Sequence, residues 1–89
     1  MRYPSDRPSL YPEIGERILL ARRRAGLNQR EFGQRVGITH AAVSDLERGK
    51  SKPNLDNLAV VADALGVPLS QIIVLDAHRR AEQSRELEG

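Results

Sequence analysis

The stretch that decides the fold is NQREFGQRVGITHAAVSDLERG, residues 28–49. In its first half, Phe32 and Val36 lie about one helical turn apart. In its second half, Val43 and Leu46 repeat that spacing. Apolar residues at this interval are typical of amphipathic helices. The stretch therefore predicts two short helices joined by a tight corner.

Two glycines explain how these helices could pack closely. Gly33 lies inside the first predicted helix, where a missing side chain lets a second helix approach. Gly37 lies at the corner, where a short turn favours a residue that tolerates positive φ. Together these features predict a helix-turn-helix, and the expected partner of that motif is double-stranded DNA.

Length and composition limit what else the chain can do. Its 89 residues predict one domain with a modest core and leave no space for a separate sensing or catalytic domain. The absence of cysteine excludes disulfides and thiolate metal ligands. His40 and His78 have no carboxylate companions at metal-ligand spacing. We therefore expect neither a metal nor a cofactor.

The sequence also lacks the motifs of enzymes and of membrane proteins. Ser44 and Asp45 are adjacent, but no glycine-rich elbow presents Ser44 to a histidine as a hydrolase triad requires. No apolar run approaches membrane-spanning length, and the N-terminus has no apolar signal segment. These observations predict a cytoplasmic protein without enzymatic activity or a membrane partner.

Charge is distributed unevenly along the chain. Residues 17–52 contain nine basic and three acidic residues, a net charge of +6. Residues 53–89 contain three basic and six acidic residues, a net charge of −3. A basic front and an acidic rear favour an oriented approach to a polyanion, although an arginine-rich solvated surface would give the same count.

The pattern divides the chain into three parts. Residues 1–11 contain Pro4 and Pro8 and predict an arm without regular structure, whereas Pro12 suits the first turn of a helix. The helical domain is expected over residues 12–75. The charged tail, residues 76–89, either prolongs the last helix or frays.

Capping residues and glycines bound five predicted helices in that domain. The first has a core stripe that ends at Ala25, and the fifth carries four consecutive aliphatic residues at 72–75. The five are expected over residues 12–25, 29–36, 40–48, 55–65 and 69–75.

These residues resemble the Cro and C1 repressor type of helix-turn-helix protein, also called the xenobiotic-response-element (XRE) family. The resemblance covers residues 13–75. The matching features are GLNQ at 26–29, Gly33, VGIT at 36–39, VSDLERGK at 43–50, Pro53 and ADALGV at 62–67. The resemblance implies an all-α, five-helix lambda-repressor-like domain. It also implies a sequence-specific transcriptional regulator, most often a repressor that acts as a homodimer on a palindromic operator. Such a regulator is expected to be encoded by a bacterium or a phage and to associate with the nucleoid.

The candidate DNA contacts fall into two groups. With Val43 and Leu46 fixed inward, the 100° step per residue turns one strip of the third helix outward. The strip offers base contacts from His40, Ala41, Ser44 and Asp45, whereas Arg48 more readily reaches phosphate. The resemblance adds the start of the second helix and the loop after the third. The full set of phosphate-binding candidates is Asn28, Gln29, Arg48, Lys50 and Lys52. For Asp45 an alternative stays open, namely an intraprotein pair with Arg48.

Two further contacts are expected. The resemblance pairs Glu47 with Arg22 in a sheltered ion pair between the third and first helices. Because a helix can bury only one face in its own domain, Leu69, Val74 and Leu75 are expected in a two-fold dimer interface. The alternatives are that the tail from residue 76 covers them or that another surface, at Leu19 and Leu20, forms the dimer.

One rival function belongs to a different class. Antitoxins of this family repress their own operons and cover a toxin, so the chain could be an interaction module whose main partner is a protein. Asp45 keeps this alternative open because a carboxylate facing DNA is repelled by phosphates.

Overall fold

The computed structural model describes residues 7–73, and in that range it contains five α-helices and no strands. The helices are α1 (Tyr11–Arg24), α2 (Gln29–Val36), α3 (His40–Glu47), α4 (Leu55–Leu65) and α5 (Leu69–Ile72). The predicted all-α, five-helix class is therefore confirmed. Val74, Leu75 and the tail at 76–89 lie outside the described residues.

Side-chain caps fix where three of the helices begin. At α2, the Asn28 Oδ1 atom accepts a hydrogen bond from the Glu31 N–H at 2.8 Å, and the Glu31 carboxylate accepts one from the Asn28 N–H at 3.0 Å. At α3 and α4 the cap is a single hydrogen bond, which Thr39 accepts from the Ala42 N–H and Asn54 accepts from the Asn57 N–H. These satisfied N–H groups explain why local sequence located the starts of α2, α3 and α4.

The core is aliphatic except for one ring. Its largest fully buried side chains are Phe32, Ile18, Ile72 and Val43. Helix α1 packs on α3, α4 and α5, and α2 packs on α3 and α4. Every helix thus contributes to one core, and α3 lies between the two helices before it in the chain.

The two glycines predicted to let α2 and α3 pack closely do so for different reasons. Gly37 has φ of 78°, the left-handed conformation that lets the chain turn sharply from α2 into α3. At Gly33 the limit is space, because a Cβ atom there would lie 2.6 Å from the Ile38 carbonyl oxygen. Sequence analysis missed a third position: a Cβ atom on Gly15 would lie 2.5 Å from the carbonyl oxygens of Leu46 and Glu47. Close approach therefore occurs on both sides of α3.

Several predicted boundaries need correction. Leu10 packs against the core and Tyr11 is already helical, so the domain begins within the predicted arm at 1–11. Ala25 is exposed rather than part of the core stripe, because α1 ends at Arg24 and the chain turns away. Arg48 caps α3 instead of lying within it.

The expectation that the fifth helix extends through residue 75 is wrong at Ile73. That residue has φ of −98° and ψ of 105°, an extended conformation, so α5 ends at Ile72. Two consecutive β-branched isoleucines lower the helix propensity here, and burial of Ile72 already anchors the segment.

Candidate nucleic-acid interface

The outer strip of α3 is defined by the residues that the helix buries. Val43 is fully buried and Leu46 nearly so, which fixes the inner face against the core. The four residues expected to face bases all retain solvent exposure, and they are His40, Ala41, Ser44 and Asp45. All four side chains therefore lie on the side of α3 that faces away from the core.

Asp45 and Arg48 contact each other on this strip. The Arg48 Nη2 atom lies 3.0 Å from the Asp45 Oδ1 atom, and the Arg48 Nε atom donates to the Ser44 carbonyl oxygen at 3.4 Å. The Arg48 side chain is 57% exposed and the Asp45 side chain is 49% exposed. In the free protein, therefore, the intraprotein pair left open by the sequence forms. An exposed pair of this kind adds little stability, so either side chain can exchange it for another charged partner.

Arg22 and Glu47 form a buried ion pair. Arg22 donates from Nε to one Glu47 carboxylate oxygen at 2.5 Å and from Nη2 to the other at 3.1 Å. Its Nη1 atom donates to the Leu27 carbonyl oxygen at 2.8 Å. The residues are 7% and 5% exposed. The bidentate pair joins α1 to α3 and also holds the loop before α2.

Glu47 has a third donor that sequence analysis missed. The Gln29 Nε2 atom donates to the Glu47 Oε1 atom at 2.9 Å. Gln29 is the first residue of α2, so this hydrogen bond holds its carboxamide at the helix N-terminus. One of its two N–H groups serves Glu47, which leaves the other for a second acceptor. The two residues are 18 positions apart on different helices, and no local pattern links them.

A polar concavity of about 440 Å³ lies at this N-terminus. Its lining residues are Arg22, Asn28, Gln29, Arg30 and His40. Arg22 is paired with Glu47, so the exposed guanidinium of Arg30 supplies the positive charge, and the helix end adds backbone N–H donors and partial positive charge. The arrangement suits an anion. It places His40 beside Gln29 as well as on the strip, and it adds Arg30, which sequence analysis did not select.

The loop after α3 is held from both ends. Lys50 donates its backbone N–H to the Asp45 carbonyl oxygen at 2.9 Å, and the Tyr11 hydroxyl donates to the Pro53 carbonyl oxygen at 2.8 Å. The side chains of Lys50 and Lys52 remain exposed. Tyr11, assigned to the arm from sequence, is therefore a support for the basic loop.

The remaining predicted sites can be placed only in part. Leu69 is partly buried against the core of its own domain. Leu20 is exposed and Leu19 partly so, and Val74 and Leu75 fall outside residues 7–73. Within those residues, no three His, Asp or Glu side chains are grouped to hold a metal ion. No described helix has the length and apolar character needed to cross a membrane.

Comparison with known proteins identifies the class. The helix-turn-helix family model HTH_3 matches residues 18–72, more than half of the chain. An immunity repressor protein of Bacillus phage phi105 is 30% identical over 71 residues, which cover 80% of this chain and 49% of the repressor. The chain belongs to the Cro/C1-type helix-turn-helix family.

Two solved structures show the same architecture. The clp gene regulator ClgR from Corynebacterium glutamicum matches with a TM-score of 0.72 at 26% identity, covering 91% of this chain and 86% of that one. The P22 c2 repressor, solved in complex with a synthetic operator, matches with a TM-score of 0.62 at 32% identity, covering 67% and 91%.

The matches differ in how much of each relative they cover. This chain spans about half the length of the phi105 repressor and 24% of repressor protein C2 of Salmonella phage P22. The match therefore covers only part of each of these repressors.

Proposed function

We propose that this protein is a sequence-specific DNA-binding transcriptional repressor that acts as a homodimer on a palindromic operator. The observation that carries the proposal is the fixed Gln29 carboxamide at the α2 N-terminus, beside the exposed strip of α3 and the basic loop after it. The likeness to a repressor solved on operator DNA supports the same assignment. We propose that it acts in the cytoplasm and without enzymatic activity.

The proposed contacts form two groups, those to base edges and those to phosphates. Helix α3 enters the major groove, where His40 and Ser44 bond base edges, Ala41 touches a thymine methyl and Asp45 accepts from a cytosine amino group. Phosphates are held by a second set of residues, which consists of Asn28, Gln29, Arg48, Lys50 and Lys52. For Asn28 the available group is the side-chain amide nitrogen, because its Oδ1 atom already caps α2.

The proposed dimer joins two subunits through Leu69, Val74 and Leu75. It would set the two α3 helices about 34 Å apart, one turn of B-DNA. Sedimentation of Leu75→Glu tests this interface, with monomers as the expected result because a buried charge without a partner opposes association. An unchanged mass would move the interface elsewhere, with Leu19 and Leu20 as the next candidates.

Selection of bound sites from random DNA tests the function itself. The expected product is a motif with two inverted half-sites whose centres are about 10–10.5 base pairs apart. Recovery of a single half-site would contradict the homodimer, and recovery of no motif would contradict sequence-specific binding.

Asp45 supports one second candidate, a module whose main partner is a protein such as a toxin. Its carboxylate is half exposed in the middle of the strip, where it would oppose phosphates once Arg48 moved away. Co-purification of the product of a neighbouring gene, together with no motif from site selection, would favour this candidate.

A further inference from the structure

A second concavity lies beside the proposed DNA-binding face, and its apolar walls have no task in the contacts described above. This groove of about 430 Å³ lies where α2, α3, the basic loop and α4 meet. Its apolar walls are formed by Val36, Ile38, Ala42, Leu46, Val60 and Val61. Its volume and largely apolar lining are within the range of sites that hold small molecules.

Two residues of the groove leave apolar surface in solvent. Ile38 is 38% exposed and Val60 is 52% exposed, whereas the next residue on α4, Val61, is 5% exposed. Val61 is therefore buried against the core, whereas Val60 is exposed beside the groove. A ligand that covered Val60 and Ile38 would gain by removing their surface from water.

The charges at the groove favour one sign of ligand. Two charged side chains line it, Asp45 and Lys52. Asp45 is engaged by Arg48 at 3.0 Å. Lys52 is exposed and, among the described residues, has no ion pair or hydrogen bond. An apolar wall beside one uncommitted ammonium group complements a molecule with an apolar body and an anionic head.

We propose that this groove binds a free small carboxylic acid with an apolar body, and that the acid lowers the affinity of the protein for DNA. The second part rests on the proposed function, because Lys52 is one of the phosphate contacts assigned above. A carboxylate paired with Lys52 would occupy that ammonium group and bring negative charge to the DNA-facing side. The domain would thus receive a chemical signal within the helix-turn-helix unit itself.

The first experiment uses the full chain without DNA, so that it stands whether or not the proposed function holds. Methyl NMR spectra are recorded during titration with octanoate, octanol and octylammonium, which share an apolar chain and differ in head group. Octanoate should shift the methyl signals of Ile38, Val60 and Val36 with a saturable dependence, and octanol and octylammonium should bind several-fold more weakly. Equal responses to all three probes, or shifts spread over the whole domain, would overturn the proposal.

Matched variants then locate the site. Val60→Glu should abolish the octanoate response. Leu55→Glu makes the same change at an exposed position of the same helix that does not line the groove, and it should leave the response unchanged. Lys52→Met should remove the preference for octanoate over octanol. Equal octanoate binding by all three variants would overturn the assignment to this groove.

The effect on DNA is measured separately by fluorescence anisotropy with a bound site. Saturating octanoate should weaken binding several-fold in the wild-type chain and not in Val60→Glu. If octanoate binds in the groove while DNA affinity stays unchanged, the ligand site stands and its regulatory part is overturned. If the groove signals move with protein concentration in the absence of octanoate, a second copy occupies the groove and the ligand proposal fails.

Discussion

The Glu47 side chain on α3 links that helix to α1 and to the start of α2. Its carboxylate accepts two hydrogen bonds from Arg22 and one from Gln29, and its side chain is only 1% exposed. Charges removed from water to this extent are tolerated only while each is paired. The same carboxylate thus stabilises the α1–α3 contact and positions a side chain of the proposed DNA-binding face.

The first prediction is that removing only one of the two charged side chains destabilises the protein. Arg22→Met or Glu47→Leu should each lower the free energy of unfolding by about 3 kcal/mol, because each leaves a buried charge without its partner. The double variant should lose less than the sum of the two, since neither charge then remains. Urea unfolding of the wild-type protein and the three variants measures these free energies. If the losses of the two single variants simply add up in the double variant, the two charges do not stabilise each other.

The second prediction concerns Gln29. Gln29→Ala should weaken binding to a selected site and to unrelated DNA by a similar factor, because phosphate contacts are independent of sequence. Loss of one hydrogen bond to a charged group corresponds to about 2 kcal/mol. Anisotropy titrations with both DNAs measure it, with Gln34→Ala, an exposed position on the same helix, as the control. A loss confined to the selected site would instead make Gln29 a base-reading residue.

The third prediction concerns Asp45. If its carboxylate accepts from a cytosine, Asp45→Ala should relax the preference at one base position in each half-site by roughly 1–3 kcal/mol. Site selection on the variant reads this directly. Asp56→Ala removes the same charge from an exposed position on α4 and should return the wild-type motif. If Asp45→Ala also returns that motif, Asp45 serves only to hold Arg48.

At the scale of elements, the position of α3 depends on the backbone of α1. Gly15 lies against the last turn of α3, where an added methyl group would collide with two carbonyl oxygens rather than with a movable side chain. The fit of these two helices is therefore set by the absence of a single carbon atom. Any shift of α3 would also shift its outward strip.

The fourth prediction follows from that contact. On helix propensity alone, Gly15→Ala should stabilise α1 by about 1 kcal/mol. The collision predicts the opposite, a loss of about 2 kcal/mol or more, because the backbone must move apart. Thermal unfolding decides the sign, and Glu16→Ala, exposed on the same helix, should change stability little. A more stable Gly15→Ala protein would contradict the described packing of α1 on α3.

Local chemistry explains which elements could be predicted from sequence. The starts of α2, α3 and α4 depend on caps within three residues, so Asn28, Thr39 and Asn54 reveal them. The end of α5 could not be found in this way, because the aliphatic run at 72–75 reads equally well as helix or as extended chain.

The features of the candidate site likewise divide into those that a local sequence pattern predicts and those that only the fold brings together. The outward strip of α3 follows from the period of one helix, whereas three features of the site required the fold. The Gln29 to Glu47 hydrogen bond, the support of the loop by Tyr11 and the place of Arg30 at the concavity all join residues that are distant in sequence or share no pattern.

At the scale of the whole molecule, the charge asymmetry is the feature that bears on a partner. Of the nine basic residues in the +6 segment, Arg22 is buried with Glu47, Arg48 is paired with Asp45, and Arg17 lies 3.9 Å from Glu13. The other six are exposed and, within residues 7–73, form no ion pair; they are Arg23, Arg24, Arg30, Arg35, Lys50 and Lys52. These six, together with Arg48 once it exchanges Asp45 for a phosphate, set the largest number of phosphates that one subunit can neutralise directly.

The dependence of DNA affinity on salt tests the central claim most directly. If each subunit of a dimer neutralises about three to five phosphates, the logarithm of the binding constant should fall with the logarithm of the salt concentration with a slope of about −5 to −9. The measurement needs only the purified protein, a bound DNA site and anisotropy titrations at several salt concentrations. A slope in that range, reduced by about one or two units in Lys52→Ala, would support the proposed interface. A slope near zero would contradict DNA as the partner.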